Sequence, residues 1–305
     1  MAILEIRERP VLRRPLLICG FSGWADAGNG ATAALAYLME DLNPEPCAWL
    51  DPEACFDFTV QRPTTRRAPG GGWMLVYPQV QFFALYRPNH ERDLLLLTGP
   101  EPHLNWPTLT RVIAEFSREV GVETAIAMGV FLGSVSHRSV ALVRRTLDPE
   151  LDQRLARLGC VETGYQGPTG FVTALIHGLA AAGIPAASVW AAAPVYLRAV
   201  NPAVAAALLT AIETATQVPL DLGPLQKRAH AFIREVDAML AANPELANQL
   251  REMVDLGPEP TIVPEAPPEQ PPPSAPDFPS GQSLVEELER FLRERRGPTE
   301  PGATE

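Results

Sequence analysis

Apolar positions in this chain follow two rhythms, short continuous runs and stripes spaced three and four apart, which alternate along most of its length. The first run, Leu16-Leu-Ile-Cys-Gly20, passes into a glycine-rich turn and then Ala31–Met39, the opening of a strand–helix unit. Phe56–Val60, Trp73–Tyr77 and Gln81–Tyr86 are aromatic and β-branched runs parted by proline and glycine. They predict strands, either antiparallel hairpins or an extension of a sheet. Asp93–Thr98 is almost continuously apolar, as a central strand covered on both faces is. Leu109, Val112, Ile113, Phe116 and Val120 then recur at helical spacing, with Pro107 in the first turn.

Thr124–Met128 predicts another buried strand, and Thr169–Ala182 a helix with Val172, Leu175, Ile176 and Leu179 on one face and Gly183 closing it. Val189–Ala193 predicts a strand. Asn201-Pro202 starts a further helix, the asparagine able to cap and the proline at the first position. Leu225, Phe232, Ile233, Val236 and Leu240 line a later helix, and Asn243-Pro244 repeats the start signal. Strands alternating with helices imply right-handed crossovers. The expectation is a three-layer α/β body over residues 1–255, a mainly parallel or mixed sheet flanked by helices.

Beyond it the rhythm stops. Residues 256–280 hold 10 prolines and few large apolar groups. Such a stretch buries too little to offset its ordering entropy, which predicts a disordered acidic linker over 256–281. Ser283-Leu-Val-Glu286 is then a capping box, and Leu284, Leu288, Phe291 and Leu292 share one face of a predicted helix over 282–296, before a disordered end at 297–305. So short a helix is marginal alone, so its stripe predicts docking on its own body, another subunit or a different protein.

Charge sharpens this division. The net charge is −11, but residues 255–305 hold 11 acids and 4 arginines, so the preceding body is nearly balanced. No basic stripe points to nucleic acid. No apolar run is long enough to cross a membrane, and the first ten residues do not read as a secretory signal. Cys19, Cys47, Cys55 and Cys160 have no paired spacing, which predicts reduced thiols in a cytoplasmic compartment rather than zinc ligands or disulfides. Lys227 is the only lysine and lies far from the glycine loops, which weakens Schiff-base and phosphate-loop mechanisms.

In parallel α/β sheets ligands lie beyond the carboxyl ends of the strands. The loops expected there carry Ser22, Asp26, Asn29, Glu101, His137, Arg138, Tyr165 and Thr169, a candidate ligand pocket. Each has a plainer role. The glycines of 20–30 match neither dinucleotide nor Walker spacing. Asp26 reads more readily as a helix cap than as a general base. Ser22 is not in a G-x-S-x-G elbow. Ser134, Ser136 and His137 crowd one loop with no group placed to orient the histidine, Glu101 being the one available candidate. The remaining histidines show no metal-ligand spacing, and no metal or cofactor is expected. Trp24, Trp106 and Trp190 read as core.

The segments GFSGWADAGNGA (20–31), DFTVQRPT (57–64), LLLLTGPEPHLNWP (94–107), YQGPTGFVTAL (165–175) and AGIPAASVWAAAPVYL (182–197) together resemble the proteasome assembly chaperone 2 family, its bacterial members especially. The resemblance implies a phosphorylase/hydrolase-like α/β fold and, in bacteria, a homo-oligomer, expected as a trimer or a multiple of it. It also implies an assembly role of the kind the family has in eukaryotes and archaea, and carries no catalytic residue set. Ser136-His137-Arg138-Ser139 stands where the family leads one to expect Pro-His-Thr-Arg-Pro, which clouds a shared role for that pair. The final Gly-Ala-Thr-Glu lacks the hydrophobic-Tyr-X pattern of proteasome-docking tails, which argues against docking by that route. Two functions follow: a protein-interaction or assembly scaffold, favoured by the resemblance and the tethered helix, and a small-molecule hydrolase, phosphorylase or ligand sensor at the clustered loops. Fold alone does not choose between them.

Overall fold

The structure, a computed structural model, describes residues 3–250 apart from 41, 43, 198, 246 and 249. The predicted linker at 256–281, the helix at 282–296 and the end at 297–305 lie outside the described residues. The strands are β1 (Leu4–Ile6), β2 (Leu16–Ser22), β3 (Pro46–Leu50), β4 (Thr64–Arg67), β5 (Trp73–Val76), β6 (Gln81–Leu85), β7 (Leu94–Pro100), β8 (Thr124–Gly133), β9 (Leu142–Thr146), β10 (Val161–Glu162) and β11 (Ala186–Pro194). The helices are α1 (Gly30–Met39), α2 (Pro52–Cys55), α3 (Trp106–Glu119), α4 (Pro149–Arg157), α5 (Phe171–Ala181), α6 (Pro202–Thr216) and α7 (Gly223–Ala241).

Nine strands form one mixed sheet in the order β1-β3-β6-β7-β2-β8-β11-β9-β10. Its centre, β7-β2-β8-β11, is parallel throughout. On one side β6, β3 and β1 continue it antiparallel. On the other β9 is antiparallel to β11, and β10 runs parallel to β9. Period-two alternation assigns the central side chains to two layers. Leu16 and Ile18 of β2, Leu96 of β7 and Met128 of β8 meet α1, α4, α6 and α7 on one face. Leu17, Cys19 and Phe21 of β2, with Leu95 and Leu97 of β7, meet α3 and α5 on the other. This is the three-layer α/β body that the apolar rhythm predicted.

Start signals worked where side chains could reach the first turn. Asn201 Oδ1 accepts from the Ala203 N–H at 2.9 Å, with Pro202 opening α6. The segment Phe56–Val60 is a turn rather than a strand: Asp57 Oδ1 accepts from the Thr59 N–H at 2.8 Å and its hydroxyl at 2.6 Å, bonds that compete with a ladder. Helical turns also begin at Pro244 as that signal predicted, with the Ala247 N–H on the Asn243 carbonyl at 3.0 Å, but the Asn243 side chain points back and donates to the Met239 carbonyl at 2.9 Å.

β4 and β5 form a separate two-stranded hairpin. Trp73 is 68% and Leu75 55% exposed, and the Arg67 guanidinium stacks over the Trp73 ring at 4.1 Å. Arg62, Arg66 and Arg67 lie on or beside it, and no acid occurs between residues 58 and 90.

Candidate functional site

The loop after β2 turns back into α1, and Asp26 governs that turn. Its Oδ1 accepts from the Ala31 N–H at 2.6 Å, and its Oδ2 from the Thr32 hydroxyl at 2.6 Å and N–H at 3.2 Å. The carboxylate therefore serves the first turn of α1 as a cap. Burial pushes its pKa up, while the Thr32 and Ala31 bonds pull it down. Asn29, exposed and left-handed at φ 55°, opens α1 without a side-chain cap bond.

Glu101, just beyond the neighbouring β7, does the same on the opposite face. Its N–H donates to the Ser22 carbonyl at 2.8 Å, and its Oε1 accepts from the Phe171 N–H, the first residue of α5, at 2.6 Å. Burial raises its pKa, against the lowering effect of the Phe171 bond. Gly170 lets the chain pass close to both groups: a Cβ there would stand 2.8 Å from Glu101 Oε1 and 3.0 Å from the Trp24 ring, so any larger residue would push the carboxyl aside.

Trp24 continues into a narrow, largely apolar pocket of about 50 Å³ that Tyr165 and Thr169 also line, together with Phe131, Val143 and Trp190. The Trp190 ring lies flat on Gly129 of the adjacent strand, where a Cβ would come within 2.3 Å of it. Arg145 Nη2 holds the Tyr165 carbonyl at 2.7 Å, and the Tyr165 hydroxyl donates to the Pro168 carbonyl at 2.9 Å.

His137 and Arg138 form a third group with partners the sequence did not suggest. The buried His137 ring sets Nε2 2.8 Å from Asp237 Oδ1 and Nδ1 2.8 Å from the Tyr196 hydroxyl. The Tyr196 oxygen also accepts from the His137 N–H at 2.8 Å, and Arg138 Nε donates to Asp237 Oδ1 at 2.8 Å. Bonds from His137 and Arg138 hold the Asp237 carboxyl below its ordinary range, while burial raises the Tyr196 phenol. Asp237 of α7, rather than Glu101, thus orients the histidine. Ser136 Oγ accepts from the Arg138 N–H at 3.2 Å, and among the described residues no serine bonds the His137 ring.

Of the eight candidates, the geometry gathers Ser22 (through its carbonyl), Glu101, Tyr165 and Thr169 around Trp24 and Gly170. Asp26 and Asn29 belong to the start of α1, and His137 and Arg138 to the contact with α7. Among the described residues no hydrogen bond joins these groups. No cluster of three or more His, Cys, Asp or Glu among the described residues could hold a metal, and none of the described helices is long and apolar enough to cross a membrane. All four cysteines are free and buried, and burial pushes the Cys55 thiol up to about 12.

The mixed sheet with these loops has counterparts among known proteins. Residues 20–240 match the PAC2 family. The chain belongs to that family. A PAC2 family protein from Streptomyces avermitilis is 34% identical, the match covering 79% of this chain and 99% of the other at a TM-score of 0.69. A Mycobacterium tuberculosis proteasome-assembly chaperone homologue is 31% identical, covering 76% and 98% at 0.68. The PAC2 fold extends further: an archaeal proteasome activator from Pyrococcus furiosus, 19% identical, covers 79% and 98% at 0.58, a likeness of fold alone. None of the curated proteins matches the chain.

Proposed function

We propose that this PAC2 protein works by binding other protein chains, as an assembly factor of the kind its M. tuberculosis relative is named for. The carrying observation is the β4–β5 hairpin. A lone two-stranded hairpin is marginal in water, yet this one exposes Trp73, Met74 and Leu75 beside three arginines. Aromatic and arginine side chains are the groups enriched where protein interfaces gain most energy. The predicted helix with Leu284, Leu288, Phe291 and Leu292 is a second partner-binding segment in this reading. The protein acts in the cytoplasm as a homo-oligomer, a trimer or a multiple of it, with no cofactor.

The test is native mass spectrometry of the purified full chain with purified proteasome subunits from its own cell. A complex that forms, and is lost in the Trp73→Ser/Leu75→Ser variant while thermal unfolding is unchanged, supports the reading. No complex with any subunit ends the proteasome part of it, and a complex indifferent to the variant ends the role of the hairpin.

A second reading rests on the pocket beside Glu101. Its aromatic walls and the adjacent half-buried Glu101 carboxyl suit a small apolar ligand, in a sensor or a hydrolase. Thr169→Trp, which fills the mouth, should abolish ligand-induced shifts of Trp fluorescence. Shifts that persist unchanged would remove this pocket as their source.

A further inference from the structure

The β4–β5 hairpin is bare on both sides. Period-two alternation puts Trp73 and Leu75 on one face, opposite Arg67 and Thr65, and Met74 on the other, opposite Arg66. All six are exposed. Tyr77, the residue after β5, adds an exposed ring that packs on Phe58 at 5.2 Å. Among the described residues Arg62, Arg66 and Arg67 form no ion pair, and Arg67 covers only one side of the Trp73 ring. An isolated pair of strands with both faces in water is marginal, and an apolar strip of this kind marks a surface that something covers.

Charge and chemistry together point to the cover. Residues 58–90 contain no acid, whereas residues 255–289 contain eight acids and no base. Single surface pairs gain little, but facing blocks of opposite sign add over several pairs. The same acidic stretch holds 10 prolines between 256 and 280. Proline presets an extended backbone, so such a segment loses little entropy on docking, and its rings lie well on exposed aromatic side chains. The leucine-striped segment 282–296 carries four acids and four arginines and lacks this charge match. Length permits the contact. Counted from Leu250, the prolines from 264 to 279 lie 14 to 29 residues further on, an extended reach of about 40–90 Å, against a radius of gyration of about 18 Å for a body of this size. Tethering gives an effective concentration of order mM, so a contact of modest affinity is populated.

We propose that the β4–β5 hairpin is a docking site for the proline-rich acidic segment 256–281 of the same chain, with prolines against Trp73, Leu75 and Tyr77 and carboxylates matched to Arg62, Arg66 and Arg67. A partner protein must then displace the segment to reach the hairpin. That regulatory consequence rests on the hairpin being the partner site, while the contact itself does not.

The test is fluorine NMR of the full chain, made with 5-fluorotryptophan and carrying a nitroxide at Ser274→Cys. The four native cysteines are buried and do not compete for the label. Trp73→Phe assigns the Trp73 signal among the five tryptophans. At low salt that signal should be lost with the nitroxide oxidised and return on its reduction, the other four changing less. Arg62→Glu/Arg66→Glu, which keeps the Arg67–Trp73 stack, should restore the signal. Adding Glu265→Arg/Glu269→Arg/Asp277→Arg to that variant should remove it again, a rescue that a merely misfolded hairpin would not show. A Trp73 signal indifferent to the nitroxide, a loss indifferent to the charge changes, or a swap without rescue overturns the inference. So does an equal loss when nitroxide and fluorine sit on different chains, which would assign the contact to a second copy. No partner protein is present, so a negative result here leaves the hairpin available to partners, and failure of proteasome subunits to bind leaves this contact standing.

Discussion

Asp26 and Glu101 follow adjacent parallel strands and accept N–H groups from helices on opposite faces of the sheet. Burial raises both pKa values, so the folded state favours their protonated forms. Each contributes stability that is full below the ordinary carboxyl value and is lost as pH rises through the raised one. Glu101→Gln keeps an acceptor for the Phe171 N–H but does not titrate. In urea unfolding, its stability minus that of the native protein should therefore grow from pH 4.5, the ordinary value for Glu, toward neutrality. A difference that shrinks over that range would contradict the burial argument. A second residue-scale test concerns Gly129, on which Trp190 rests. Gly129→Ala should cost about 1–3 kcal/mol through overpacking. In a double-mutant cycle, Trp190→Ala should cost less in that background than in the native chain, because the clash disappears with the ring.

At the scale of elements, α7 is the most lightly anchored of the long helices. It buries only Leu225, Ala229 and Val236 over 19 residues, and the His137–Asp237 contact adds a polar tie to the loop after β8. Asp237→Ala leaves a buried imidazole nitrogen without its acceptor, a loss of about 1–3 kcal/mol. Hydrogen exchange should then quicken in α7 more than in α6, and equal protection in both would deny the tie. Asp237 also has the opposite pH sign from Glu101: its pKa is lowered, so its contribution holds above the ordinary Asp value and fades as pH falls below it.

Which elements could be read in advance follows from what surrounds them. β2, β7, β8 and β11 are covered on both faces and show as unbroken apolar runs. β9 hid because Arg144, buried there, reaches Asp152 at 2.8 Å and the Cys160 carbonyl, so its charge masked a strand. α4 passed unnoticed although Asp148 Oδ1 caps the Leu151 N–H at 2.8 Å and Pro149 opens it, the same signal read correctly at Asn201-Pro202. The site was less legible than the fold. Asp26 could be read as a cap because its partners are five and six residues away. His137 could not, since Tyr196 and Asp237 lie 59 and 100 residues further on.

For the whole molecule, the division between body and tail is the property with most bearing on function. Among the described residues the buried apolar side chains run from Leu16 to Leu250, while the segment from 255 onward carries 11 of the 36 acids in the chain. A body whose layers close on themselves needs nothing from an acidic, proline-rich extension to stay folded. Truncation after residue 255 should therefore leave the thermal midpoint within about 2 °C, less than the shift produced by 1 kcal/mol in a domain of this size. A larger fall would mean that Leu284, Leu288, Phe291 and Leu292 complete the body itself. Partner binding should respond differently. The hairpin segment is basic, with no acid from residue 58 to 90, so a complex made through it should weaken as salt rises. If the tail engages the same partner through its leucine stripe, truncation should weaken the complex at every salt concentration and leave that slope unchanged. If the acidic tail instead competes for the basic hairpin, truncation should tighten the complex, most of all at low salt. The direction of that one shift decides whether the tail aids capture or restrains it.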